Sequence, residues 1–274
     1  MRSIAKKFKA RASRRKGTLI IIGGREDKEK DMEILKEIAN QTGKAKLVIA
    51  TIASRVSEEV WHDYKKIFAD LGVKNTVHFT IERSEEARDQ KNLALFDNVK
   101  TIFFTGGDQL KITTKLGGSP ILEKIMEIYH TGGVIAGTSA GAAIMGKTML
   151  VGSENAESHK VGNWMMAPGI GFVEDIIVDQ HFAQRGRIGR LLGAVALNPG
   201  ILGIGIDEDT AIIIKDGNFK VIGSNAVYVV DGQKISSTNI SEAAAEKTMS
   251  MHHVQLHILA NSEKFNLKSR KPSR

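Results

Sequence analysis

From Gly17 onward, short runs of β-branched and other apolar residues alternate with longer amphipathic stretches, and this alternation constrains the fold more than any other feature of the chain. Each apolar run has the length of a strand buried on both faces, and each amphipathic stretch has the spacing of a helix lying on a sheet. Residues 18–22 are predicted as a buried strand, 31–39 as a helix with Met32, Leu35, Ile38 and Ala39 on one face, and 45–52 as the next strand. The cycle recurs as a helix over 57–71 capped by Ser57, a strand over 76–81, a helix over 89–96, a strand over 101–105 and a helix opened by Pro120 that runs to His130. An apolar strand over 134–138 then leads straight into Ser139, with helix beginning over 142–145. Further on, strands are predicted over 176–179 and 202–206, with a helix over 187–197 between them. Asp216-Gly217-Asn218 forms a turn between strands over 210–215 and 219–222, and Val254, Leu256 and Ile258 alternate as a last strand. The expected fold class is therefore α/β, a three-layer sandwich with a mostly parallel central sheet, as one catalytic domain over 17–263.

The charge is distributed unevenly. The formal net charge is +8, yet residues 1–16 carry eight basic residues and no acid, and the segment after Glu263 carries five more. Between Gly17 and Glu263, 26 basic residues face 31 acidic ones. The expected organisation is a mildly acidic folded body between a basic N-terminal tail over 1–16 and a basic C-terminal tail over 264–274, both solvated, since like-charge blocks stay unfolded. The absence of cysteine excludes disulfides, zinc-thiolate sites and a cysteine nucleophile. No apolar run approaches the ~20 residues of a membrane span, which predicts a soluble, cytoplasmic protein.

Gly137-Thr138-Ser139-Ala140-Gly141 matches G-x-S-x-G, the pattern of a nucleophile on a sharp strand-to-helix turn, where small residues make room for the bend. As a bare pattern it also describes close packing of a helix on a strand, but the preceding strand and following helix supply the context a nucleophile needs. Gly106-Gly107-Asp108-Gln109 follows another buried strand and reaches the same carboxyl edge of the sheet, where the N–H of Gly107 could pair with that of Ala140 as an oxyanion hole. The alternative for that segment is a plain turn with Asp108 as helix cap.

A serine nucleophile needs a base. Of the eight histidines, His181 ends a strand in Asp179-Gln180-His181-Phe182, and His159 is the reserve candidate. A carboxylate must in turn orient the base: Glu208, at the end of the strand leading into Gly205-Ile206-Asp207-Glu208-Asp209, competes with Glu157 in a polar loop. Spacing favours Glu208, because a strand end holds a group more rigidly than a loop. Arg185, Arg187 and Arg190 follow His181 and suit bidentate binding of carboxylates.

Five segments in one order, Ile22-Gly23-Gly24 with Glu26-Asp27-Lys28, Thr105 to Gln109, Gly137 to Ala142, Asp179 to Phe182 with the three arginines, and Gly203 to Ala211, resemble the serine-peptidase family that contains the cyanophycinases and the aspartyl dipeptidases. The likeness extends over most of residues 17–230. It implies a sheet like that of class I glutamine amidotransferases, no cofactor and no metal, and hydrolysis of cyanophycin, a poly-aspartate carrying arginine on each side-chain carboxyl, to β-Asp-Arg dipeptides. By the same likeness Ser139 is nucleophile, His181 base and Glu208 its orienter, with Glu157 as the alternative, while Gln109, Asp179, Gln180, Arg185, Arg187 and Arg190 bind substrate. An α-aspartyl dipeptidase with the same triad is the first alternative. A Rossmann-like nucleotide- or nucleic-acid-binding protein is the second; Ile22-Gly23-Gly24-Arg25 lacks the G-x-G-x-x-G spacing and no P-loop pattern occurs, which counts against phosphate cradling and against nucleic acid as a partner. A homodimer stays open.

Overall fold

The computed structural model describes residues 16–152, 160–162, 164–245 and 247–273. The first half of the chain alternates strands and helices as its pattern requires: β1 (Thr18–Ile22), α1 (Glu33–Thr42), β2 (Lys46–Ala50), α2 (Ser57–Asp70), β3 (Thr76–Phe79), α3 (Gln90–Ala94), β4 (Val99–Phe104), α4 (Gln109–Leu116), α5 (Pro120–His130), β5 (Val134–Thr138) and α6 (Ala140–Ala143). The second half is richer in strands: β6 (Thr148–Gly152), β7 (Met165–Pro168), β8 (Ile176–Gln180), α7 (Ile188–Leu197), β9 (Leu202–Ile206), β10 (Thr210–Lys215), β11 (Asn218–Gly223), β12 (Val227–Asp231), β13 (Ser237–Thr238), β14 (Met251–His252), β15 (Gln255–Leu259), β16 (Lys264–Asn266) and β17 (Lys271–Ser273). Among the described residues, no helix is long and apolar enough to cross a membrane.

Among the described residues, nine strands form the central sheet in the order β17-β16-β11-β10-β1-β5-β4-β2-β3. Strands β3, β2, β4, β5 and β1 run parallel, whereas β10, β11, β16 and β17 extend the sheet antiparallel. The fully buried run Thr18-Leu19-Ile20-Ile21-Ile22 sits between β5 and β10, so both its faces meet core. On one face Ile34, Leu35 and Ile38 of α1 and Trp61, Tyr64 and Phe68 of α2 pack against Ile20, Ile22 and Phe103. On the other, Ile121, Ile125 and Ile128 of α5 join Leu19, Ile21 and Phe104.

β8 and β9 do not extend the central sheet. With β12 and β15 they form a second, four-stranded sheet in the order β15-β12-β9-β8. Its Ile204, Ile206, Val227 and Val229 share a core with Ile212, Val221 and Phe219, and α7 covers its other face through Leu191, Ala194 and Val195. A further layer is thus added to the expected sandwich.

Four further departures from the sequence reading have a clear physical cause. Helix α1 starts at Glu33 rather than Asp31, because the Asp27 carboxylate accepts from the N–H groups of Glu29, Lys30 and Met32 and holds that stretch as a turn. Ser57 is the first residue of α2 and not its cap; its hydroxyl is engaged with Thr51 Oγ1 at 2.5 Å. In β15 the apolar residues face outward, with Leu256 50% and Ile258 60% exposed, because Leu259 takes the inward position on this edge strand. The segment 264–273 is not a solvated tail but the outer hairpin of the sheet: Phe265 is fully buried against Phe219, and that apolar contact outweighs the flanking charges. Of the N-terminal segment 1–16, all but Lys16 lies outside the described residues.

Candidate active site

At the carboxyl end of β5 the chain turns so sharply that Ser139 takes φ +53° and ψ −107°, a conformation rare for any residue with a Cβ. The turn is possible because the backbone closes on itself where side chains are missing: a Cβ on Gly137 would lie 2.3 Å from the Gly141 carbonyl oxygen, and one on Gly141 2.3 Å from that of Phe104. The Ser139 N–H donates to the Ile22 carbonyl at 3.1 Å, tying the turn to the end of β1. The hydroxyl points to the histidine that ends β8.

Ser139 Oγ and His181 Nε2 are 2.9 Å apart, and His181 Nδ1 lies 2.7 Å from Glu208 Oε1. The second sheet produces this alignment: β8 and β9 run parallel with Gln180 opposite Ile206, so that His181 and Glu208 leave neighbouring strand ends together. His181 is itself held at φ +48°, with its N–H donating to the Gly23 carbonyl at 2.8 Å. Gly24 lies flat against the imidazole; a Cβ there would come 2.3 Å from His181 Cε1.

Burial pushes the His181 pKa below its ordinary value; the Glu208 hydrogen bond works in the opposite direction, and Arg185 and Arg187 add to the lowering. The ring is therefore neutral near pH 7, as an acceptor for a serine proton must be. With Nδ1–H donating to Glu208, Nε2 is left as the acceptor and Ser139 Oγ–H as donor. Arg25, 76% exposed, brings Nε within 3.5 Å of Glu208 Oε1 from the outer side.

The Gly106-Gly107 turn stands beside the serine: a Cβ on Gly106 would lie 3.5 Å from Ser139 Cβ. Gly107, at φ +136°, passes so close to β2's end that a Cβ would meet the Ala53 carbonyl oxygen at 2.1 Å. Ala140 is the first residue of α6, so its N–H lies outside the helix ladder. Asp108 does cap α4, accepting from the Leu110 N–H at 2.9 Å, so the segment is a turn with a helix cap placed beside Ser139.

The residues expected to contact substrate divide into two groups. Arg185 is exposed, as expected. Asp179, Arg187 and Arg190 instead form a buried ionic cluster: Arg190 spreads its fork over both Asp179 oxygens, and Arg187 Nη1 reaches Asp179 Oδ1 at 3.3 Å and Gln180 Oε1 at 2.9 Å. The Asp179 side chain has no exposed surface. This corrects the expectation that all three arginines are open forks, because a carboxylate buried beside them takes up their donors first. Burial lowers the Arg187 pKa to about 10, against the pull of Asp179. Gln109 is buried as well, its amide donating to the Leu150 carbonyl at 2.5 Å. Glu157 and the reserve base His159 lie outside the described residues.

Sequence reasoning assigned no role to the segment after β1. Gly24, Arg25 and Glu26 come from the opposite end of the chain to His181 and Glu208, and only the sheet order reveals that they meet. The available signals were the Ile22-Gly23-Gly24 turn at a strand end and the Glu26-Asp27-Lys28 run that shares in the family resemblance.

The sequence profile described as Peptidase family S51 matches residues 19–222. A protein of Geminocystis herdmanii named cyanophycinase is 38% identical over 261 residues, covering 94% of this chain and 96% of its own. A cyanophycinase of Trichormus variabilis is 37% identical, covering 93% of this chain and 87% of its own. Among solved structures, a peptidase from an acI-B1 Actinobacterium superposes with a TM-score of 0.70 at 22% identity, over 92% of this chain and 98% of its own, which shows the shared fold.

Proposed function

The chain belongs to peptidase family S51, and from that premise we propose that it is a cyanophycinase: a serine-type exopeptidase that releases β-Asp-Arg from multi-L-arginyl-poly-L-aspartate. The observation that carries the chemistry is the unbroken line from Ser139 Oγ through both ring nitrogens of His181 to Glu208. The substrate is carried by relatives that match almost the whole chain under one name.

In this reading Ser139 Oγ attacks the carbonyl carbon of an aspartyl α-peptide bond while His181 Nε2 takes its proton. Glu208 holds the ring in the required tautomer and stabilises the imidazolium. The N–H groups of Gly107 and Ala140 receive the oxyanion, where preorganised donors are worth about 3 kcal/mol each. His181 then protonates the leaving amine, and water repeats the sequence to free the acyl group. Arg185 and Arg25, exposed cations beside His181 and Glu208, meet the carboxylate of the terminal aspartyl unit. The polymer is degraded in the cytoplasm.

The test compares kcat/KM on a β-linked Asp-Arg oligomer, on plain oligo-aspartate and on α-Asp dipeptides. A site that pairs with both charges of each unit should favour the first over the second by as much as ~10⁴. Equal rates on these two would sink the claim of arginine recognition, and preference for the dipeptides would make the chain an α-aspartyl dipeptidase.

A further inference from the structure

The strip Ile22 to Asp27 touches every member of the triad in turn. Ile22 accepts from the Ser139 N–H at 3.1 Å, Gly23 accepts from the His181 N–H at 2.8 Å, and Gly24 accepts from the Asp209 N–H at 2.9 Å while its α-carbon faces the imidazole. Arg25 reaches Glu208, and the Asp27 N–H donates to Asp209 Oδ1 at 2.7 Å. Three residues delivered by three different strands are thus registered against one short segment. That segment is not a regular strand and includes Arg25 at φ +47°, so something must fix it.

Glu26 does so. Its carboxylate is buried, and each oxygen has its own donor: Tyr64 Oη–H on Oε1 and Thr138 Oγ1–H, at 2.6 Å, on Oε2. Thr138 is the residue immediately before the strained Ser139. Tyr64 is clamped in turn between Phe103, edge-on at 4.8 Å, and Lys28 Nζ, 4.1 Å above its ring. Burial and Glu26 raise the Tyr64 pKa well above its ordinary value, so the phenol stays a donor throughout the working range.

We propose that Glu26 is a positioning residue for the nucleophile, acting through Thr138 to lock the Ser139 elbow onto the strip that carries His181. The proposal rests on Ser139, His181 and Glu208 being the triad. A carboxylate accepts from both hydroxyls at once; the amide of Gln keeps a single acceptor, so one of the two hydroxyls would have to turn its proton away from it. Displacing a nucleophile by about 1 Å costs on the order of 10²-fold in rate.

The experiment uses Thr138→Val, Thr138→Ser, Glu26→Gln and Ser139→Ala in the full chain, with steady-state kinetics on a soluble β-Asp-Arg oligomer and a thermal melt of each. Thr138→Val keeps the shape and deletes the hydroxyl, and should lose about 10²-fold in kcat with KM unchanged. Thr138→Ser restores the hydroxyl and should restore kcat. Glu26→Gln should match Thr138→Val, and if it fails to fold the two Thr138 variants decide the matter. Loss of turnover in Ser139→Ala together with parental kcat in Thr138→Val would overturn the proposal alone. Equal loss in Thr138→Val and Thr138→Ser would do the same, since the hydroxyl would then be irrelevant. Parental turnover by Ser139→Ala would remove the triad itself, and this proposal with it.

Discussion

Ser139 and His181 both sit at positive φ, and both donate their backbone N–H to carbonyl oxygens at the end of β1, those of Ile22 and Gly23. Strain of this kind costs about 1–3 kcal/mol per residue and persists only where surroundings over-determine it, as they do here. The electrostatics give a pH prediction. Because burial lowers the His181 pKa, the neutral ring survives to more acid conditions than in a free histidine, and the acid limb of kcat/KM should have its midpoint below 6.5. Glu208→Gln removes the interaction that raises this pKa, so it should move the limb further down while lowering kcat by roughly 10⁴-fold. A pH–rate profile of both proteins checks this, and a midpoint at or above 6.5 in the parent would contradict it. At this scale the sequence pointed to Ser139, His181 and Glu208, which the structure brings within hydrogen-bonding distance, because each follows an apolar run, a position at the sheet edge that the pattern itself defines. It did not reveal the fate of the arginines. Charge shows in a sequence and its partner does not: Asp179, Arg187 and Arg190 meet only because the turn after His181 folds α7 back over β8.

The elements were legible wherever local pattern decides them, as in α5, which runs from Pro120 to His130 as read; the structure adds the Ser119 cap and the buried face of Ile121, Ile125 and Ile128. They were misread where long-range pairing decides. The segment 264–273 looked like a solvated tail because five basic residues follow Glu263, yet Phe265 on Phe219 is enough to add a hairpin to the sheet. Arg270 then crosses to the second sheet, donating to Asp231 at 2.7 Å and to the Gly200 carbonyl. Asp231 is 3% exposed, so Arg270→Ala would leave a buried carboxylate without its cation, at a cost of about 3–5 kcal/mol. Urea unfolding should show that loss with the slope unchanged, and a midpoint equal to the parent's would mean that the hairpin is not anchored there.

At the scale of the molecule, the two sheets divide the labour. The central sheet supplies Ser139 from β5 and the strip after β1, while the second sheet supplies His181 and Glu208 from the ends of β8 and β9. Neither alone contains the hydrogen-bonded line Ser139–His181–Glu208, and the contact between their strand ends is what a linear sequence cannot display. With residues 264–273 counted in the folded body, residues 17–273 carry 30 basic and 31 acidic side chains, close to neutral. The most direct measurement is to incubate insoluble cyanophycin with the parent chain and with Ser139→Ala, and to identify the soluble products by mass spectrometry. The parent should release β-Asp-Arg as the main product, and Ser139→Ala should be slower by about 10⁴-fold or more. No dipeptide from the parent, or release by Ser139→Ala at the parental rate, would contradict the account.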